Sequence, residues 1–289
     1  MNSTNSYLRE KILKTGALPT VSAIAQKILS LDLDSDEGEL EFLRVVETDP
    51  LISARVIGLA NSALYSSGKK MCSVRDAIMR LGISKVKSVA LGFALLEPLT
   101  LRSGGLFSLK KFWFHSFSVA IGMKALNMKL PRESRIADDL VFLAGLMHDI
   151  GHLAMVYLAP TEFDKYLSEL EIKPDTPILK LELDVFGISH TELGNMLGSS
   201  WHLPEEVLTV IAEHHGRTLP EQHANLVLLV RLSDSIQAGD DYLVKAMPPE
   251  ITAEELMQLG LTQSDLDEVV ETLHGQMEQI EMISDLLGS

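Results

Sequence analysis

The decapeptide Ala144–Leu153, AGLMHDIGHL, sets an imidazole and a carboxylate side by side at the end of an apolar run, Leu140-Val-Phe-Leu-Ala-Gly-Leu-Met147. A stretch this apolar belongs in an interior, and it carries His148 and Asp149 inward with it. An unpaired buried polar group costs roughly 2–7 kcal/mol even when neutral, and a carboxylate costs more. The fold must therefore bring partners to this pair. A metal ion is the natural partner for adjacent His and Asp.

The remaining chain reads as helix almost throughout, with apolar residues at helical spacing and no sustained strand alternation. Helices are expected over Tyr7–Lys14, from Pro19 through Val21, Ile24, Ala25, Ile28 and Leu29, and through Leu40, Leu43 and Val46. Asp49-Pro50 is a restart, with Asp as N-cap and Pro at the first helical position. Ser73-Val-Arg-Asp76 resembles a capping box for a helix that Gly82 stops, and Ser84 opens another to about Leu96. A long helix is expected from Ser108 to about Met128, ended by Pro131. Asp138 is then expected to cap the helix leading to His148, and Gly151 to end it in a left-handed conformation. Five more helices follow between Pro160 and Ala238, with Gly187 and Gly216 as stops; Thr252 and Thr262 cap two acidic ones after Pro248-Pro249. The predicted class is all-α.

Arg102-Ser-Gly-Gly105 is the best linker signal. It divides an N-terminal helical part, 1–100, from a second part, 106–240, with acidic helices over 249–289. That last segment holds ten Asp or Glu and no Lys or Arg, which reads as a solvated helical face or a partner-binding surface. Its stripe of Val269, Leu273, Met277 and Ile280 is expected to pack back on the same chain; oligomeric state stays open. One cysteine, Cys72, rules out a disulfide framework and points to the cytoplasm. A net charge of −15 argues against general nucleic-acid or anionic-membrane binding, though a local site can still take a small phosphorylated ligand. No apolar run is expected to reach the ~18 residues of a membrane span; the longest candidate, around Val89–Leu96, stops at Glu97-Pro98.

Other inward polar residues accompany His148-Asp149. His115 has Phe112, Val119 and Met123 at its i−3, i+4 and i+8 positions, and Asp234 has Val227 and Val230 at i−7 and i−4. His214-His215 is a second adjacent pair, and His190 starts a helix between Ser189 and Glu192. Each has an ordinary reading: a satisfied core histidine, an Asp234–Arg231 pair, a helix C-terminus that favours positive charge, a first-turn residue. One metal centre satisfies them together. Imidazole and carboxylate suit Fe, Mn, Zn or Ni rather than a thiolate-selected metal.

The order His115, His148-Asp149, Asp234 resembles the HD-domain metal-dependent phosphohydrolase superfamily, and His190 with His214-His215 resembles the second-metal ligands of its HD-GYP branch. Leu18-Pro19-Thr20, Asp49-Pro through Asn61-Ser-Ala-Leu-Tyr65, Ser73 to Gly82, Glu182 to His190 and Trp201-His-Leu-Pro204 are similar to the bacterial HDOD domain, over about residues 15–240. The resemblance implies an N-terminal helical bundle packed on an HD-like helical core, and a role in bacterial signal transduction. It also implies a binuclear divalent metal site. His115, His148, Asp149 and Asp234 would hold one ion, and Asp149 would bridge to a second held by His190, His214 and His215. Two departures stand out. His152 occupies the place of the HD-GYP lysine, and the glutamate and GYP signature after the double histidine are replaced by Gly216-Arg217-Thr218-Leu219-Pro220. Arg217 can serve a phosphate or simply face solvent, and His152 can support the ligands from behind. Two functions follow. One is a regulatory module binding a signalling protein or phosphorylated small ligand, with Asn61–Tyr65 and Lys69-Lys70 as a candidate surface. The other is a phosphohydrolase acting on a nucleotide or phosphodiester.

Overall fold

A computed structural model describes residues 8, 9, 12, 18–33, 35–62, 64, 65, 68, 70–100, 105–237 and 252–288. Among these, every regular element is helical, as expected. Most of the expected helix at Tyr7–Lys14, the Arg102–Gly104 part of the linker, Lys69 and the Pro248-Pro249 break lie outside the described residues.

The N-terminal bundle comprises α1 (Ala23–Leu29), α2 (Asp36–Thr48), α3 (Pro50–Asn61), α4 (Val74–Leu81) and α5 (Ile83–Thr100). Its starts are set by side chains that take up first-turn N–H groups. Ser22, rather than Pro19, caps α1 through Ala25 N–H. Asp49 caps α3 by accepting from Leu51 and Ile52, both at 2.9 Å. At α4 only half of the box forms: Ser73 accepts from Asp76 N–H, while the Asp76 carboxylate takes the N–H of Cys72. Asn61 turns inward and clasps the backbone of Met71 through both its oxygen and its nitrogen (2.7 and 2.8 Å), closing the loop after α3. Leu64 and Tyr65 pack partly buried against the core.

The end of α5 departs from expectation. The helix passes through Pro98 to Thr100 instead of stopping near Leu96. Proline removes the N–H that would bond the carbonyl four residues earlier. That carbonyl, Ala94 O, accepts from the Ser22 hydroxyl at 2.9 Å. A side chain 72 residues away replaces the missing donor, so the helix continues.

The second part is built around α6 (Leu109–Lys129), buried on nearly every side by Phe112, Trp113, Phe117, Val119 and Met123, among others. Around it lie α7 (Asp138–Met147), α8 (Ile150–Leu158), α9 (Pro160–Ile172), α10 (Ile178–Phe186), α11 (His190–Ser200), α12 (Glu205–Glu213) and α13 (Ala224–Gln237). The bundle docks through α5 on α7 and α8. Trp201 Nε1 adds a tie by donating to Pro19 O at 2.8 Å. Two boundary readings are corrected. Asp138 is the first residue of α7, and the cap position is Ala137, with no side-chain hydrogen bond. Gly151 does not end a helix but lies inside α8. Against the expectation that no apolar run is long enough, the stretch Asp138–Leu158 is long and apolar enough to span a membrane by length and composition, and 89% of its 18-residue window is buried inside the fold.

The acidic helices α14 (Ala253–Leu259), α15 (Gln263–His274) and α16 (Met277–Gly288) fold back on the same chain. Thr252 and Thr262 form full capping boxes with Glu255 and Asp265. Val269, Leu273, Ile280 and Ile283 are buried, with α15 and α16 lying along α6. Lys110 pairs with Glu281 and Asp285 (3.1 and 2.7 Å), and Lys129 pairs with Glu268. Part of the acidic charge is thus matched by cations of the helix it covers.

Candidate metal centre

Two close approaches of backbone assemble the site. Gly145 lets α7 lie against α6, since a Cβ there would stand 2.6 Å from Ala120 Cα. Gly151 lets α8 meet the start of α11, since its Cβ would stand 1.9 Å from His190 O. The first crossing brings His148 to His115. The second brings Asp149 to His190.

Asp149 sits between two groups of histidines. Its Oδ2 is 3.5 Å from His115 Nε2 and 3.4 Å from His148 Nε2. Its Oδ1 is 3.4 Å from His190 Nε2 and 3.2 Å from His214 Nε2. His115 Nε2 and His148 Nε2 are 3.1 Å apart, and His190 Nε2 and His214 Nε2 are 3.2 Å apart. Asp234 Oδ1 lies 3.5 Å from His115 Nε2, on the side of the first group. His215 joins the second, where one ligand atom each from Asp149, His190, His214 and His215 falls within 4.8 Å of the others. The seven residues therefore come to one place, in two groups that share Asp149. His115, His148, Asp149, His190 and His214 are buried, while Asp234 and His215 are partly open.

The ring nitrogens turned away from the centre define those turned toward it. His148 Nδ1 faces Gly145 O at 2.7 Å. His214 Nδ1 faces the carbonyls of Val210 and Ile211 at 3.0 and 3.1 Å. A carbonyl cannot donate, so both Nδ1 atoms carry hydrogen, and the neutral rings present bare Nε2 lone pairs. His190 Nδ1 faces the Glu182 carboxylate at 2.8 Å, with the same result. Two imidazole nitrogens and Asp149 Oδ1 thus converge at 3.2–3.4 Å, an arrangement that a shared cation satisfies. Ligands held ~2.0–2.2 Å from one ion lie about 3–3.5 Å from one another, so the donor set fits a divalent metal.

The electrostatics agree with this donor set. Burial opposes ionisation of Asp149, but the imidazoles around it, His148 first and then His115 and His152, hold its carboxyl well below the ordinary range. Burial pushes His214 down to about 4 against the pull of Asp149. Burial, with His214 and His190 close by, holds His215 well below the ordinary imidazole range. Neutral imidazole and ionised carboxylate are the ligand forms.

His152 and Arg217 are placed very differently. His152 is fully buried behind the ligands, with Nε2 2.8 Å from Glu182 Oε1, Nδ1 3.7 Å from Asp149 Oδ2, and its ring stacked on His190. Arg217 is exposed, two residues past His215. The Arg231 guanidinium binds the carbonyls of Glu213, His214 and Thr218 (2.9, 3.2 and 3.3 Å), bracing the turn that carries the double histidine. One residue was missed: Glu182, fully buried at the heart of the site's support. Its signal was available. It stands four residues from both Ile178 and Phe186, a carboxylate on an apolar helix stripe.

Fold and site define an all-helical, HD-like protein with a buried His/Asp cluster able to hold metal. The chain belongs to the HDOD domain family, whose model matches residues 18–217. Asp234 lies beyond that match. The structure is similar to that of a protein from Marinobacter aquaeolei VT8, provisionally described as a signal transduction protein. The TM-score is 0.80 at 25% identity, covering 96% of this chain and 61% of that one. It is also similar to an HDOD domain protein with unknown function from Geobacter sulfurreducens, with a TM-score of 0.77 at 25% identity over 98% and 97% of the two chains. A provisionally described phosphohydrolase from Shewanella amazonensis SB2B shares the fold, with a TM-score of 0.72 at 23% identity over 97% of each chain. In sequence the chain is 23% identical over 199 residues to an uncharacterized protein of Treponema pallidum (strain Nichols), and it spans 37% of that relative's length.

Proposed function

We propose that this chain is a bacterial, cytoplasmic signal-transduction module that keeps a two-metal HD centre and acts by binding a signalling protein or a phosphorylated small ligand rather than by turnover. The observation that carries this reading is the placement of His152. The HD-GYP lysine has its counterpart here in a fully buried imidazole, held between Glu182 and Asp149. A side chain committed to two interior carboxylates does not reach a ligand on the open side of the metal. Arg217, the cation of the Gly216–Pro220 stretch right after the double histidine, stands out in solvent. The ligand cage is kept, while the groups that would grip a substrate are turned inward or absent. The Marinobacter relative's description supports the same role.

A second reading rests on Asp149, which turns one oxygen to each histidine group. When bound, a pair of divalent ions in such a site supplies a hydroxide and stabilises a leaving oxygen, which is phosphohydrolase chemistry. The experiment that separates the two is direct. Full-length protein loaded with Mn²⁺, Fe²⁺, Zn²⁺ or Ni²⁺ is assayed with bis(p-nitrophenyl) phosphate and cyclic dinucleotides, with Asp149→Ala as control. The module reading expects bound metal and no hydrolysis above the control. Hydrolysis abolished by Asp149→Ala would establish the enzyme instead, and protein free of metal under all four loadings would remove the centre from both readings.

A further inference from the structure

We infer that Glu182 is the positioning residue of the second metal subsite: a buried carboxylate that sets which nitrogen of His190 faces the ions and thereby decides whether that subsite fills. The inference rests on the metal-centre reading above.

Glu182 lies on α10, outside both ligand groups, and no part of it reaches solvent. Its two oxygens hold His190 at two points. Oε2 accepts the backbone N–H of His190 at 2.8 Å, and both oxygens lie within 2.9 Å of His190 Nδ1. A carboxylate paired with both the main chain and the ring of one residue fixes that ring in position and in tautomer. Nδ1 must carry a hydrogen, so the nitrogen that the neutral ring offers as a ligand is Nε2, 3.4 Å from Asp149 Oδ1 and 3.2 Å from His214 Nε2. His148 and His214 have their Nδ1 atoms fixed by carbonyls of their own helices, within four residues. Those contacts come with the helix itself. His190 opens its helix and has no preceding turn, so its partner must come from another element, eight residues back.

The carboxylate is itself held. His152 Nε2 and Tyr166 OH donate to Oε1 at 2.8 and 3.1 Å. Asp149, His152, Glu182 and His190 thus form a closed ring of alternating carboxylates and imidazoles that leaves one oxygen of Asp149 and returns to the other. Within the ring, Glu182 supplies a negative charge behind the ligands of the second group and none behind His115. Its loss should therefore affect the two subsites unequally. Outer carboxylates of this kind typically change metal affinity roughly 10–100-fold when removed.

The test uses full-length protein with Glu182→Gln, and Tyr166→Phe as control. An amide offers one acceptor oxygen where two are needed and puts N–H groups where His190 donates. Long-range ¹H–¹⁵N correlation on metal-free, ¹⁵N-labelled protein reads the His190 tautomer, and equilibrium dialysis with Zn²⁺ alone reads stoichiometry and affinity. Wild type should show His190 with hydrogen on Nδ1 and bind two ions. Glu182→Gln should show a mixed or reversed tautomer, keep one ion with unchanged affinity and bind the other roughly 10–100-fold more weakly. Tyr166→Phe should keep the wild-type tautomer. Unchanged tautomer or unchanged affinity at both subsites in Glu182→Gln overturns the inference. So does a third bound ion lost in Glu182→Gln, which would make Glu182 a ligand. If the variant does not fold, hydrogen on Nε2 of His190 in metal-free wild type overturns it alone. Wild type that binds no Zn²⁺ sinks the metal-centre reading, while the tautomer arm still tests Glu182.

Discussion

Gly151 lies against the carbonyl of His190 so closely that a Cβ at residue 151 would stand 1.9 Å from that oxygen. This contact joins the helix after Asp149 to the helix that begins with His190. No flexible side-chain end is involved, so the clash cannot be relieved locally. Gly151→Ala is expected to force α8 from α11, destabilising the protein by about 1–3 kcal/mol and weakening metal binding at the His190 group more than at the His115 group. Urea unfolding and metal titration check both; an unchanged unfolding midpoint would show that the crossing is not tight.

Among the described residues, Asp149 is the one ligand candidate common to both histidine groups. Single substitutions should therefore sort by ion count. His148→Ala and His214→Ala are each expected to cost one ion per chain, and Asp149→Ala both, by elemental analysis of protein dialysed against dilute Zn²⁺. Two ions retained in Asp149→Ala would rule out a shared bridge.

Ser22 and Pro98 should be energetically coupled through the Ala94 carbonyl. Ser22→Ala removes both the cap of α1 and the donor to Ala94 O, at a cost of about 1–3 kcal/mol. In a Pro98→Ala background the helix regains its own N–H at that carbonyl, so the same Ser22→Ala should cost less. A double-mutant cycle in urea reads the difference; simple additivity would show that the Ser22 hydroxyl contributes only through the cap.

Lys85 gives a pH dependence. It lies over the Tyr65 ring, 4.8 Å from its centroid. Burial, then the neighbouring Lys124, lowers its pKa to about 8, against a partial opposing pull from Asp138. The folded state thus disfavours the charged form. At pH 7 both folded and unfolded chains keep the proton, and the fold carries that penalty. Between about pH 8 and the ordinary value of 10.5 the folded chain releases the proton while the unfolded chain keeps it, so stability from this group rises with pH. Lys85→Met should be more stable than wild type at pH 7, with a gain that shrinks toward pH 10. Urea midpoints across that range check it, and a constant gain would exclude titration of Lys85 as the cause.

Much of this was legible in the chain. The all-α class, the caps at Asp49, Ser73, Thr252 and Thr262 and the stop at Gly82 depend on residues within a few positions of one another. Inward-facing His115 and Asp234 showed themselves by apolar neighbours at helical spacing. Glu182 carried the same signal, but a carboxylate on an apolar stripe does not say which residue it serves.

Local spacing and capping chemistry were enough to read most of the helices, the polar residues they carry inward and the family. Tertiary structure alone decided the pairings. It set which oxygen of Asp149 faces which histidines, which carboxylate backs His190, why residue 151 is glycine and how α5 survives Pro98. The physical reason is range. Helix formation and capping are settled by hydrogen bonds across three or four residues. Asp149 meets His214 across 65 positions, and Ser22 meets Ala94 across 72. Contacts at that separation exist only after the helices have packed, and their geometry follows from where the backbones can approach most closely.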